Sequence, residues 1–252
     1  MQSSNASSFE LNKIQVPTGV DQANENLERL AATSRRSFLG RGLTTVAVGS
    51  AATLAGSSTA LAARTPSNQS GIPSLYPGSA RKYFQEIQLD EATHVNIIIA
   101  AIRSLGGTPR PFPTFTGISN LTGTQFLQAA AAFENTGVGA YFGAGPYIQN
   151  PAVLSVALSI ALVEAYHSGF INSTANTALI PNALTYAVPL TIAQVTAAAS
   201  PYIVSLNDNG QFPATFSTTP SAQNDIAILN FALLLEYLEA TFYYNNVPRL
   251  LP

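Results

Sequence analysis

Cysteine and tryptophan are both absent from this chain, and its only methionine is Met1. Without cysteine, disulfides, thiolate metal sites and thiol nucleophiles are excluded. Beyond Met1 the chain lacks the sulfur side chains that oxidants attack first. That suits a protein that meets peroxide or oxygen outside the cytoplasm, although drift in composition accounts for it equally well. Charge is also scarce. Only 10% of the 252 residues are charged and 46% are hydrophobic, enough for a sizeable core with few ionic groups to spare. Beyond residue 63, six Lys and Arg stand against nine Asp and Glu, a net charge of −3. There is no basic patch, which argues against nucleic acid as a partner. No solenoid-type repeat is present.

Histidine is nearly absent too, and its placement is informative. The two histidines each follow a glutamate by three residues, as Glu91-Ala-Thr-His94 and Glu164-Ala-Tyr-His167. On a helix, residues i and i+3 share a face, so each pair aims a carboxylate and an imidazole at one point. A second spacing also occurs twice: Glu134 precedes Tyr141, and Glu236 precedes Tyr243, by seven residues, about two helical turns. Six glutamates lie beyond residue 63, and these two spacings take four of them; the others are Glu86 and Glu239. Two Glu-x-x-His helices plus two helices with one Glu each match a ligand set already described for two-metal carboxylate sites in four-helix bundles. The candidate ligands are therefore Glu91, His94, Glu134, Glu164, His167 and Glu236. Glu236 is preferred over Glu239 because it shares the tyrosine spacing of Glu134. Glu239 is the alternative ligand, or else sits beside the site or at the surface. Tyr141 and Tyr243 either hydrogen-bond carboxylates across the site or pack as aromatics. Four carboxylates and two neutral imidazoles offset the repulsion of two divalent ions and suit Fe or Mn; the lack of thiolate argues against structural zinc.

The N-terminal part reads as a leader. Ser34-Arg35-Arg36-Ser37-Phe38-Leu39-Gly40 resembles a twin-arginine export motif, Leu43 to Ala63 is uncharged and mildly apolar, and Ala60-Leu61-Ala62 offers small residues for cleavage. That stretch holds too many small polar residues for a membrane span. The expected organisation is a leader over 1–63, a linker over 64–81, a bundle over 82–246 and a tail over 247–252. Within the bundle, helices are expected over Lys82–Leu105, Thr124–Tyr141, Pro151–Ile171 and Asp225–Asn246, with Asp225 capping or beginning the last. Gly106-Gly107 stops the first helix. The segment 106–122 is an irregular crossover. The segment 172–223 is a long connection with a short helix near Thr191–Ala199. The third helix is apolar nearly all round and is expected to be buried. Gly137 and Gly139 weaken the second helix but let a neighbouring helix or a ligand approach closely.

Four segments carry a family resemblance: Gln88-Leu-Asp-Glu-Ala-Thr-His-Val95, Phe133-Glu-Asn-Thr-Gly-Val-Gly-Ala-Tyr141, Val163-Glu-Ala-Tyr-His-Ser-Gly169, and Ile228 through Tyr243. Together they resemble a bacterial ferritin-like family that includes plant desiccation-related and fungal stress-response proteins. The resemblance implies an all-α four-helix bundle with long crossovers. In that family the helix like Ile228–Tyr243 comes first, whereas here it comes last, so the chain looks circularly permuted. The alternative is that the last helix completes the bundle of a second copy, as in a homodimer. Three functions follow as expectations. The first is exported, periplasmic redox chemistry at two Fe or Mn ions on a small oxidant, of ferroxidase, peroxidase or catalase type. The second is a non-enzymatic stress or envelope protein with a structural or vestigial site. Iron storage ranks last, because the few carboxylates give no sign of an acidic cage.

Overall fold

The computed structural model describes residues 71–212 and 215–252; the export motif, the uncharged stretch and linker residues 64–70 lie outside them. Among the described residues five helices and one short ribbon follow in order: α1 (Ser79–Ser104), β1 (Thr114–Phe115), α2 (Gly123–Ala144), α3 (Pro151–Thr174), α4 (Ile192–Ala199), β2 (Ile203–Ser205) and α5 (Ala222–Leu250).

Local chemistry sets most of these boundaries. α1 ends where Gly106 turns to a φ of 75°, a conformation that strains any side chain, and Gly107 N–H donates back to Ile102 O at 2.9 Å. α2 starts on a reciprocal cap: Thr122 Oγ1 accepts from Gln125 N–H, and Gln125 Oε1 accepts from Thr122 N–H. Thr191 and Gln194 repeat that cap on α4. Asn150 caps α3, with Pro151 at its first position. Ser221 caps α5, four residues ahead of the expected Asp225. Asp225 does a different job: its two oxygens accept from Gln149 and Asn150 N–H at 2.8 Å each, pinning the α2–α3 turn to the first turn of α5.

Helices α1, α2, α3 and α5 form the bundle. α1 packs chiefly on α5, and α2 chiefly on α3. The α2–α3 connection is a single 3-10 turn (Gly145–Tyr147), so those helices run antiparallel. The two long connections are joined by the β1–β2 ribbon, with Thr114 opposite Ser205. Arg110 ties the first of them to α5. It is 1% exposed, donates from its backbone and side chain to Asn230 at 2.7 and 3.1 Å, and lies 3.4 Å from Asp208. The second connection seats Leu190 against α2, where Gly139 and Gly143 have no side chains to obstruct it, and Leu190 N–H donates to Gly139 O at 2.9 Å.

The interior is split into two apolar layers. One is built on Phe84, Phe126, Phe133 and Phe242, with Phe126 stacked on Phe242 at 5.1 Å. The other is built on Val95, Ile98, Ile102, Ile160, Leu229 and Leu233. The last helix closes this interior from within its own chain: Ile228, Leu235, Leu238 and Phe242 are all buried. The expectation that α3 is buried all round is corrected. Leu158, Leu162 and Tyr166 are 53%, 63% and 76% exposed. They recur every fourth residue along the outer side of α3, and a bundle encloses only the inward side of a helix. α3 and α5 are both long and apolar enough to cross a membrane by length and composition, but α5 is the bundle's enclosed helix.

Candidate metal centre

Between the two apolar layers lies a belt of titratable side chains. Each bundle helix contributes from its middle, where the apolar rhythm is interrupted: Glu91 and His94 from α1, Glu134 from α2, Glu164 and His167 from α3, and Glu236 from α5. All six are buried. The structure thus brings every expected ligand into one interior.

The centre divides into two groups. Glu91, His94, Glu164 and Glu236 offer ligand atoms within 4.8 Å of one another, and so do Glu91, Glu134, Glu164 and His167. Glu91 and Glu164 belong to both groups. His94 Nδ1 lies 3.4 Å from Glu91, 3.3 Å from Glu164 and 3.3 Å from Glu236. His167 Nδ1 lies 3.0 Å from Glu91 and 3.2 Å from Glu134. The rings are near-parallel, 6.2 Å between centroids and 29° apart. Despite these short distances, both oxygens of Glu91 and of Glu164, one each of Glu134 and Glu236, and both Nδ1 atoms lack an aligned hydrogen-bond partner. They crowd around shared points rather than pairing.

The tyrosines hold the outer carboxylates by a reciprocal exchange. Tyr141 of α2 donates to Glu236 of α5, and Tyr243 of α5 donates to Glu134 of α2. Of the two readings left open for these residues, hydrogen bonding across the site is therefore the one found. Tyr243 packs as an aromatic as well, against Phe126 and Phe242. The exchange makes α2 and α5 pseudo-twofold mates, as α1 and α3 are through their Glu-x-x-His pairs.

The pseudo-symmetry fails at one residue. His167 Nε2 lies 3.2 Å from Asp90 Oδ2, a partner that sequence reasoning missed. Asp90 stands immediately before Glu91, so the signal was an acid adjoining a ligand. The corresponding residue before Glu164 is Val163, which offers no such contact. Glu239, the alternative ligand, is buried but belongs to neither group. Gly137 makes the close approach expected of it: a Cβ there would sit 2.5 Å from Glu164 Oε2.

Burial and mutual charge set the protonation of the metal-free centre. Burial alone would raise Glu91, but the adjacent His94 and His167 hold it down at about 2. Burial would lower both imidazoles; the carboxylates around them win, taking His94 well above its usual range and His167 up to about 12. Burial raises Glu134, raises Glu236 to about 7 and takes Glu164 well above the carboxylate range, with Glu91 adding like-charge repulsion. The phenols of Tyr141 and Tyr243 are pushed well up by burial and by the Glu each one faces. Protons thus occupy the places that cations would neutralise. A belt of this kind, buried and held only by two imidazolium charges and shared protons, remains costly to the fold.

Comparison with known families finds that the ferritin-like domain model matches residues 25–177, more than half of the chain. The match takes in α1, α2 and α3 with five of the six candidate ligands and stops short of α5, which brings Glu236. No curated protein and no solved structure matches.

Proposed function

We propose, from the premise that the chain belongs to the ferritin-like domain family, that it holds two Fe or Mn ions and acts on oxygen or peroxide. The observation that carries this reading is the set of buried ligand atoms that converge without hydrogen-bond partners. Carboxylate and imidazole donors without thiolate fit Fe or Mn. Glu91 and Glu164 would be shared by both ions, Glu134 and His167 would complete one site, and Glu236 and His94 the other. When bound, such a pair supplies Lewis acidity and electrons to a small oxidant. The chain's own residues do the rest. Tyr141 and Tyr243 fix the planes of Glu236 and Glu134, Asp90 orients His167, and the two apolar layers keep bulk water from the centre. Having no sulfur side chain beyond Met1 also suits exposure to oxidants.

The test is metal analysis of protein purified from its native compartment. About two ions per chain are expected, falling when His167→Ala removes a ligand. Metal-free native protein, or a His167→Ala variant that keeps its full complement, would remove the reading.

The circular permutation is part of the same proposal. It is supported by the pairing of α1 with α5 and α2 with α3, by the short α2–α3 turn, and by long connections on both sides of the α2–α3 pair. Export by the twin-arginine route, to a periplasmic or similar compartment, rests on residues 34–63. Replacing Arg35 and Arg36 by lysine should retain the protein in the cytoplasm. Unchanged export of that double variant would point to another leader.

A further inference from the structure

One buried carboxylate stands apart from both ligand groups. Glu239 follows Glu236 by three residues, so both lie on one side of α5. It is 4% exposed and, among the described residues, makes no hydrogen bond or ion pair. It lines a cavity of about 170 Å³ between α2, α5 and the return segment around α4. Ala132 and Ala198, also in the lining, are exposed and mark the mouth. Gly137 is the inner wall. At that same glycine a Cβ would stand 2.5 Å from Glu164 Oε2, so a single residue without a side chain separates the cavity from a carboxylate common to both ligand groups.

Along the bundle axis the centre is closed by the phenylalanine layer on one side and the aliphatic layer on the other, and beside His167 the approach is occupied by Asp90. A cation cannot cross such layers, because stripping its water without replacing the oxygens is prohibitively costly. The cavity beside Gly137 offers what the layers lack. Its volume accommodates about five waters, and its one carboxylate lies a turn away from the ligands. Burial and the neighbouring carboxylates, Glu164 foremost, hold Glu239 well above the usual carboxylate range, so an arriving divalent cation displaces its proton and gains a carboxylate oxygen, whereas a neutral oxidant gains little.

We propose that this cavity is the route by which divalent cations reach the metal centre, and that Glu239 takes the partly hydrated ion and hands it to Glu164 and Glu236. The proposal rests on the two-ion reading given above.

The test is the rate of metal uptake by the full-length metal-free protein, followed by stopped-flow absorbance with Co²⁺ as the probe and by equilibrium dialysis for the endpoint. Glu239→Gln should slow uptake by about tenfold, the scale of losing one charge contact at a partly screened position, while the final content stays that of the parent. Ala198→Phe blocks the mouth without altering any charged group and, being exposed, does not disturb the core; it should slow uptake as well. Should Glu239→Gln fail to fold, as judged by helical circular dichroism, Ala198→Phe decides alone. Parental rates in the folded variants would overturn the route. A Glu239→Gln protein that ends one ion short would overturn it in a different way, by making Glu239 a resident ligand. A parent protein that binds no Co²⁺ at equilibrium would strike the two-ion reading itself, an outcome distinct from slow loading to a normal endpoint.

Discussion

Gly137→Ala and Gly169→Ala make the same chemical change in two bundle helices, and the structure assigns them opposite signs. Both glycines are inside helices, α2 and α3, where alanine is preferred by about 0.5–1 kcal/mol. At Gly169 an added Cβ meets nothing within 4 Å. That variant should therefore gain the full propensity difference. At Gly137 the Cβ would lie 2.5 Å from Glu164 Oε2 and 3.2 Å from its Cδ. Relief requires moving a carboxylate that is enclosed on every side, at an overpacking cost of about 1–3 kcal/mol. Setting that against the propensity gain leaves Gly137→Ala about 0–2.5 kcal/mol less stable than the parent. Displacing Glu164 should also cost metal, because Glu164 belongs to both ligand groups. Urea unfolding of the metal-free proteins gives the first quantity, and equilibrium dialysis against Mn²⁺ gives the second. A Gly137→Ala protein as stable as Gly169→Ala and with full metal content would show that Glu164 is not pressed against α2.

Two further outcomes are expected. Metal uptake should expel protons, since His167 is raised to about 12 and His94 and Glu164 are also raised; about three protons per pair of ions, one from each of these groups, should appear by calorimetry in buffers of different ionisation enthalpy, and affinity should rise with pH. The metal-free fold should show the opposite trend: the contribution of His167 is complete below its ordinary 6.5 and is lost as pH climbs toward 12. Binding that is independent of pH would contradict both the proton inventory and the ligand assignment. Asp90→Asn should weaken one of the two ions by about 10–100-fold, the usual effect of losing the partner of a ligating histidine, and leave the other near its parental affinity because Val163 occupies the mirror position; equal weakening of both, or none, would deny Asp90 that role.

The helices and their inward acids were legible because both depend on local geometry. The three-residue Glu–His and seven-residue Glu–Tyr spacings define faces of single helices, and the glycine and proline signals mark their ends. What escaped depends on how distant segments meet. The bond between Asp90 and His167 joins α1 to α3, and nothing within either helix encodes it. The sequence leaves Asp225 as a cap or as an early residue of the last helix, and it lies in that helix's first turn. It is the turn before α3, brought close only by packing, that uses its oxygens. The all-round apolar α3 was read as enclosed, whereas α5 is the more enclosed helix and leaves Leu158, Leu162 and Tyr166 outside. The β1–β2 ribbon is two short stretches whose pairing requires both crossovers to be in place.

The late position of α5 has a consequence for assembly in the cell. Tyr141 and its partner Glu236 are 95 residues apart, and Tyr243 and Glu134 are 109 apart. During synthesis α1, α2 and α3 emerge first, with five ligands and one side of the centre open to water. Closing the long loop back to α5 costs little at equilibrium, since loop entropy grows only slowly with length, but contacts so remote in sequence form late. Until α5 docks, the exposed carboxylates and imidazoles can exchange ions freely with their surroundings; afterwards exchange is confined to the narrow cavity beside Gly137. Under the two-ion reading, the first ions to meet the centre are thus those of the compartment in which it is still open, and any that arrive after the last helix closes must pass the slower route.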